Sequence, residues 1–359
     1  MKTWDVIIIG GGVIGLSLAL ELRRHGAGVL IVERGEPGRE ASHAAAGMLA
    51  FCDPETPAAI RDLCLASAQL YPEFVHQVED ESGERVDFRR QGSIFFVPPN
   101  EPFDTPCHPA QELAPEQLKE LEPQVAAPAG LRALLLPEQT VDNRALVAAL
   151  LKACKHRGVE LATGAEVTGL LLDNALDERR AAGVTTACTH FAAHAVVNCA
   201  GAWAGHVQPL AFPLRPVKGQ MLAVVVPHRK ILEHVLRAPE VYLVPRSDGR
   251  ILIGATQEEA GYDKRVDPDV MQRFHQLAAN LLPEIGEARI LEAWAGLRPA
   301  TPDGLPILGA TSLRHYFVAT GHFRNGILLS AITAKIMAAL VRGADPGFDL
   351  ERYSPARFR

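Results

Sequence analysis

Val6-Ile7-Ile8-Ile9-Gly10-Gly11-Gly12-Val13-Ile14-Gly15 is the stretch that decides the fold. Its four β-branched residues form a continuous apolar run, the pattern of a parallel strand buried on both faces. The run stops at Gly10. From Val13 to about His25, Ile14, Leu18 and Leu22 recur every four residues, which predicts a helix. Gly26 to Gly28 break it, and Val29-Leu30-Ile31-Val32 is a second buried strand ending at Glu33. The whole is a compact β-α-β unit.

Gly10-x-Gly12-x-x-Gly15 lies where the first strand passes into the helix, the context that gives this spacing meaning. Gly10 permits the tight turn, Gly12 lets a pyrophosphate approach the backbone at the positive end of the helix, and Gly15 allows close helix–sheet packing. Glu33, 18 residues after Gly15, is placed to accept hydrogen bonds from a ribose that carries no 2′-phosphate. The bland alternative is an ordinary crossover with a glycine turn. The fingerprint does not distinguish NAD from FAD. The small residues from Ser42 to Met48 leave room for a flat ring system, although a tightly packed loop has the same composition.

Outward from this unit, a helix is predicted over Ile60 to Val78 with a kink at Pro72, and a strand over Gly92 to Val97. A proline-rich loop (Pro98 to Pro109) and a short helix near Pro115 to Leu121 follow. Asp142 caps a helix through His156. Strands are expected around 159–162, 165–172 and 184–191, and from His194 to Asn198. Residues 214–255 read as antiparallel sheet, with a Ser247-Asp248-Gly249 hairpin turn. Asp267 caps a helix to Leu282, and an apolar helix from about Gly326 to Val341 closes the chain. The expected class is α/β plus α+β. A Rossmann-like domain is assembled from 1–80, 140–213 and 297–359, and a mostly antiparallel substrate-binding domain is inserted as 81–139 and 214–296.

A length of 359 residues suits two such domains. With 22% charged residues and a net charge of −6, the chain has no bulk attraction for nucleic acid or anionic lipid. Its six cysteines form no Cys-x-x-Cys pair and read as reduced thiols. No secretory leader is legible, and the longest apolar stretch is short for a bilayer span of about 20 residues. A cytoplasmic location is expected. His190 and His194 are spaced i, i+4 but lie on a predicted strand, so no metal site is expected. Neither a Gly-x-Ser-x-Gly elbow nor a Lys-containing phosphate loop is present.

Two further blocks carry chemistry. In Trp294-Ala295-Gly296-Leu297-Arg298-Pro299 through Gly304, Arg298 sits at a strand end, where a guanidinium can grip a carboxylate in bidentate fashion; a solvated surface arginine is the alternative. Gly321-His322-Phe323-Arg324-Asn325-Gly326 precedes the last helix and aims backbone N–H groups at whatever lies there; a plain cap by Asn325 is the alternative.

With Pro216-Val217-Lys218-Gly219, Val244-Pro245-Arg246 and Gly254-Ala255-Thr256, these blocks span nearly the whole chain. The sequence resembles the amino-acid-oxidising flavoproteins of the D-amino acid oxidase superfamily, and within it the glycine oxidases of bacterial thiamine biosynthesis. The resemblance implies noncovalent FAD. Gly10, Gly12, Val13, Ile14 and Gly15 would serve the pyrophosphate, and Glu33, Arg34 and Val167 the adenosine. Ala41, Ser42, Ala46, Gly47 and Met48 would line the flavin, and His322, Phe323, Arg324, Asn325, Gly326, Ile327 and Leu328 would wrap its ring. It also implies Arg298 and Tyr242 as the substrate-carboxylate clamp, with Arg324 a second substrate-side arginine. Where the family pattern has a pocket methionine this chain has Gln257, which with Met48 would shape the substrate pocket. The implied reaction is hydride transfer from glycine, sarcosine or a small D-amino acid to the flavin. The imine would then hydrolyse to a 2-oxo acid and ammonia or pass to thiazole synthesis, and oxygen would be reduced to peroxide. Implied partners are the amino acid, molecular oxygen, a thiazole synthase and further copies of the chain as a homo-oligomer. Alternative readings are a quinone-linked D-amino acid dehydrogenase, a sarcosine-oxidase-like enzyme with covalent flavin, and a non-catalytic flavin-binding subunit.

Overall fold

The computed structural model describes residues 2–103, 105, 110–173, 179–226 and 230–358. Cys107 and part of the proline-rich loop lie outside them. Strand Thr3–Ile9 runs through the centre of the first sheet, parallel to Val29–Glu33 on one side and His190–Asn198 on the other. Glu160–Thr163 extends the sheet beyond Val29–Glu33. Val6 and Ile8 pack toward helices Val13–Arg24, Asn143–His156 and Ser330–Val341; Ile7 and Ile9 pack toward Val167, Ala181 and Val184 of an antiparallel ribbon. Both faces are covered, which is why the sequence run is continuous and not alternating.

The free edge of His190–Asn198 is shared. Its first residues pair with Arg180–Thr186 and its last with Tyr316–Thr320. The single strand expected over 184–191 is instead the end of one strand, a turn at 187–189 and the start of the next. The Thr186 hydroxyl closes the turn by accepting the N–H groups of Cys188 (3.4 Å) and Thr189 (3.1 Å). Asp142 and Asp267 cap their helices as expected, Asp142 accepting from the N–H groups of Arg144 and Ala145 and Asp267 from that of Asp269.

The last helix begins at Ser330 and not at Gly326. The carbonyls that would start it are occupied: Tyr71 Oη donates to Ile327 (2.7 Å) and Ser67 Oγ to Leu328 (2.5 Å). Residues 323–329 form a 3-10 turn and further hydrogen-bonded turns, and Asn325 makes no side-chain cap.

The second sheet runs, in spatial order, Arg289–Ala300, Arg215–Val225, Arg250–Gly254, Val241–Pro245, Val235–Ala238, Ser93–Val97, Arg132–Leu136 and Gln111–Leu113. All pairings are antiparallel except Val235–Ala238 with Ser93–Val97. Helix Pro268–Leu281 covers one face through Met271, Phe274, Ala278 and Leu281. A small third sheet, Met48–Leu49, Gln139–Val141 and Phe88–Arg89, joins the two. Among the described residues no helix is long and apolar enough to cross a membrane.

Glu138, at the edge of this junction, is 1% exposed. Burial outweighs the nearby Arg237 charge and pushes its carboxyl up to about 7. The unfolded carboxyl ionises near 4.5. Below that value both states hold the proton and the contribution to stability is complete. As pH rises to 7 only the unfolded state ionises, so stability falls, by about 3 kcal/mol at most. Glu138→Gln should flatten the melting-temperature curve between about pH 5 and pH 8. Parallel curves for the two proteins would show that Glu138 is ionised in the fold throughout that range.

Candidate active site

One cavity extends from the turn after Thr3–Ile9 to the inner face of the second sheet. Of the residues singled out in the sequence, it is lined by Gly10, Gly12, Val13, Ile14, Glu33, Arg34, Ala41, Ser42, Ala46, Gly47, Met48, Val167, Tyr242, Arg298, His322, Phe323, Arg324, Gly326 and Ile327. Four others lie off the wall. Gly15 acts from behind, where a Cβ would lie 2.0 Å from the Gly10 carbonyl oxygen. Leu328 is buried beneath the wall, Asn325 donates its N–H to the His322 carbonyl, and the Gln257 side chain is exposed.

At the first end, helix Val13–Arg24 points its N-terminus into the cavity. No acidic residue occupies its first turn and Gly12 offers no side-chain cap, so the positive end of the helix is open to an anion. Ser42 Oγ accepts the Val13 N–H (2.9 Å). The Glu33 carboxylate accepts the N–H groups of Gly11 (2.8 Å) and Gly35 (2.9 Å), which fixes it at the strand end. The Arg34 guanidinium lies 3.5 Å from the Trp203 ring centroid and pairs with Glu40. A helix terminus, a fixed carboxylate and a flat cationic–aromatic wall suit a pyrophosphate, a ribose and an adenine, so the residues present fit FAD.

In the middle, the small-residue segment is not all loop, since Ala41–Ala44 form one turn of helix, and it is held from outside. Asn143 Nδ2 donates to the Ser42 carbonyl (2.7 Å), Arg246 Nη2 to Ala46 (2.8 Å), and Trp294 Nε1 to Ala44 (3.0 Å). Burial pulls Arg246 down to about 10, which leaves it charged at neutral pH. Opposite, burial lowers His322 to about 3, so its imidazole is neutral; Nε2 lies 3.1 Å from Thr333 Oγ1. Phe323 holds a left-handed φ of 48°, uncommon for a bulky residue and placed on the cavity wall.

At the far end, Arg298 Nη1 donates to the Thr256 carbonyl (3.1 Å). Among the described residues Arg298 makes no ion pair. Burial and the like charge of Arg324 pull its pKa down, while Tyr242 and Glu258 oppose them; an arginine remains protonated regardless. The Tyr242 hydroxyl lies 3.2 Å from Met221 Sδ, and burial raises its pKa, which keeps it a neutral donor. Arg324 differs from Arg298. It is already paired with Glu55 and with Asp53 (3.2 Å), and Asp53 also holds Arg237 (2.9 Å). Burial raises the Asp53 pKa, but these two guanidiniums outweigh it and hold the carboxyl below the usual range.

Sequence reasoning passed over Asp53, Arg237 and Trp203, and gave Thr256 a place in a pattern block but no role. Asp53 and Arg237 lie 184 residues apart and meet only across the folded junction. Thr256 acts through its carbonyl, which residue type does not reveal. Trp203 follows the second strand-to-glycine transition, Cys199-Ala200-Gly201, and that transition was the available signal.

The family model described as FAD dependent oxidoreductase matches residues 5–340. The bifunctional protein ThiO/ThiG of Trichormus variabilis is 37% identical over 98% of this chain; the chain spans only 55% of that relative, about half its length. Glycine oxidase of Geobacillus kaustophilus is 35% identical over 99% of this chain and 97% of its own. The crystal structure of glycine oxidase from Geobacillus kaustophilus superposes with a TM-score of 0.91 at 33% identity, covering 99% of both chains. The chain belongs to the DAO family of FAD-dependent oxidoreductases.

Proposed function

We propose that the protein is a glycine oxidase. It converts glycine, oxygen and water to glyoxylate, ammonia and hydrogen peroxide, acts likewise on sarcosine and small D-amino acids, and supplies the glycine imine for the thiazole of thiamine. The observation that carries this reading is Arg298: a half-buried guanidinium on the cavity wall with no ion-pair partner among the described residues, beside a neutral tyrosine hydroxyl, at the end of a cavity that fits FAD. Such a group favours a carboxylate, which would replace the water the guanidinium gave up on burial. FAD, when bound, supplies the two-electron redox couple. Arg298 and Tyr242 hold the carboxylate so that the substrate Cα faces the ring-binding part of the cavity, an orientation effect. Arg324, neutralised by Asp53 and Glu55, shapes the mouth of the site more than it binds anion. Neutral His322 stays with Thr333 and keeps positive charge off the ring-binding wall. Noncovalent FAD, a cytoplasmic location and homo-oligomeric assembly complete the reading. A relative that carries a second half in one bifunctional chain supports a partner that consumes the product, a thiazole synthase.

Acid precipitation should release a yellow dye that identifies as FAD and leave a colourless pellet; colour retained in the pellet would mean a covalent flavin. Arg298→Ala should raise KM for glycine roughly 10- to 150-fold at unchanged FAD content, since a charge-assisted hydrogen bond contributes about 1.5–3 kcal/mol. Arg298→Lys should recover only part of the loss because the planar fork is gone. Steady-state peroxide assays decide both, and near-wild-type kinetics in Arg298→Ala would remove it from the site. The exposed Gln257 side chain gives a third expectation. In Gln257→Met, the ratio of kcat/KM for glycine to that for D-leucine should stay within about twofold of wild type, the range of surface substitutions. A larger change would place Gln257 against the substrate.

A further inference from the structure

The block Pro216-Val217-Lys218-Gly219 belongs to the sequence pattern but has no part in the function derived so far. In the fold, Gly219 sits directly opposite Gly296 in the antiparallel pair Arg215–Val225 and Arg289–Ala300. Opposed residues point to one face, and Arg298, two residues past Gly296, shares it. The paired glycines form a notch in the cavity wall, each filled by a different neighbour. A Cβ on Gly296 would meet Ala44 Cβ at 2.2 Å; a Cβ on Gly219 would meet Arg298 at 2.2 Å from Nη1, 2.5 Å from Nη2 and 2.6 Å from Cζ.

We propose that Gly219 is a positioning residue for the carboxylate clamp: the space its missing side chain leaves is the seat on which the Arg298 guanidinium lies. This rests on the role of Arg298 proposed above. The strand around the seat is latched. Lys218 and Glu258 exchange both backbone hydrogen bonds (2.9 and 3.0 Å). The Gln220 N–H donates to Thr256 Oγ1 (2.9 Å), and its side-chain amide to the Glu258 carboxylate (2.8 Å). The segment that presents the Thr256 carbonyl to Arg298 is thus fixed to the residues on both sides of Gly219. A methyl group added at 219 would find the backbone held and the guanidinium, at the end of a flexible side chain, free to yield. The fork would leave the Thr256 carbonyl and its alignment with Tyr242, and displacements of about 1 Å from a productive geometry are costly. Stability should hardly suffer, because alanine is at least as well accommodated as glycine inside a strand.

The test compares wild type, Gly219→Ala, Arg298→Lys and the double variant. The measurements are glycine kinetics, flavin absorbance titrated with acetate, FAD content and melting temperature. Gly219→Ala should raise KM for glycine and the acetate dissociation constant about tenfold or more, the size of a lost charge-assisted hydrogen bond, with a smaller change in kcat and FAD content intact. In the Arg298→Lys background the same methyl should cost little, because a slender ammonium chain leaves the seat empty; the two changes are then non-additive. A near-wild-type KM in Gly219→Ala, or an equal effect of the methyl in both backgrounds, overturns the proposal. Should Gly219→Ala lose FAD, the double variant decides: recovery of FAD with Arg298→Lys kinetics supports the seat, and continued loss makes Gly219 merely structural. Wild type that binds acetate but is not reduced by glycine would instead sink the glycine oxidase reading and leave the seat to the acetate data.

Discussion

Helix Val13–Arg24 leaves its strand so abruptly that the Gly15 α-carbon rests against the Gly10 carbonyl, with room for no side chain between them. That contact sets the direction of the helix, and the direction aims its unsatisfied N–H groups into the cavity. The neighbouring strand then ends with Glu33 beside the same turn, clasping the Gly11 N–H. The places that fit a pyrophosphate and a ribose are therefore consequences of one close approach of backbone to backbone. A β-branched or even an alanine side chain at 15 would push the helix off the sheet and move both.

The other half of the site depends on how the two sheets are joined. The segment from Ala41 to Ala46 belongs to neither large sheet, and its carbonyls are held by Asn143 of helix Asn143–His156, by Arg246, which follows strand Val241–Pro245, and by Trp294 of strand Arg289–Ala300. Buried polar groups of this kind are stabilising only when every member is satisfied. Here the loop supplies the acceptors and the surrounding elements supply the donors. The wall against which a flat ring would lie is consequently rigid, although its residues are small.

Charge is distributed unevenly at the far end. Arg237 and Arg324 share Asp53, and Arg324 also has Glu55, so both are paired with carboxylates of the protein itself. Arg298 is left with a backbone carbonyl and a phenol. A half-buried cation with no protein carboxylate beside it favours an anion, and on the proposed function a substrate carboxylate would meet that need at this place. On that reading, selectivity for the position would follow from which arginines the protein neutralises, more than from how many it contains.

The strands, the helix between them and the fingerprint at their junction are legible in the sequence, because each depends on contacts within about thirty residues: a buried run, a 3.6-residue period, a glycine turn. The caps Asp142 and Asp267 are legible for the same reason. The helix that begins at Ser330 was not, since its start is set by Ser67 and Tyr71, more than 250 residues away. Nor did the sequence reveal that Gln257 faces solvent, that Arg324 is already paired, or that Gly219 lies beneath Arg298. Chain composition determined which groups were present. Strand register across the second sheet decided which of them meet, because a shift of one residue in an antiparallel pair sends every side chain to the opposite face.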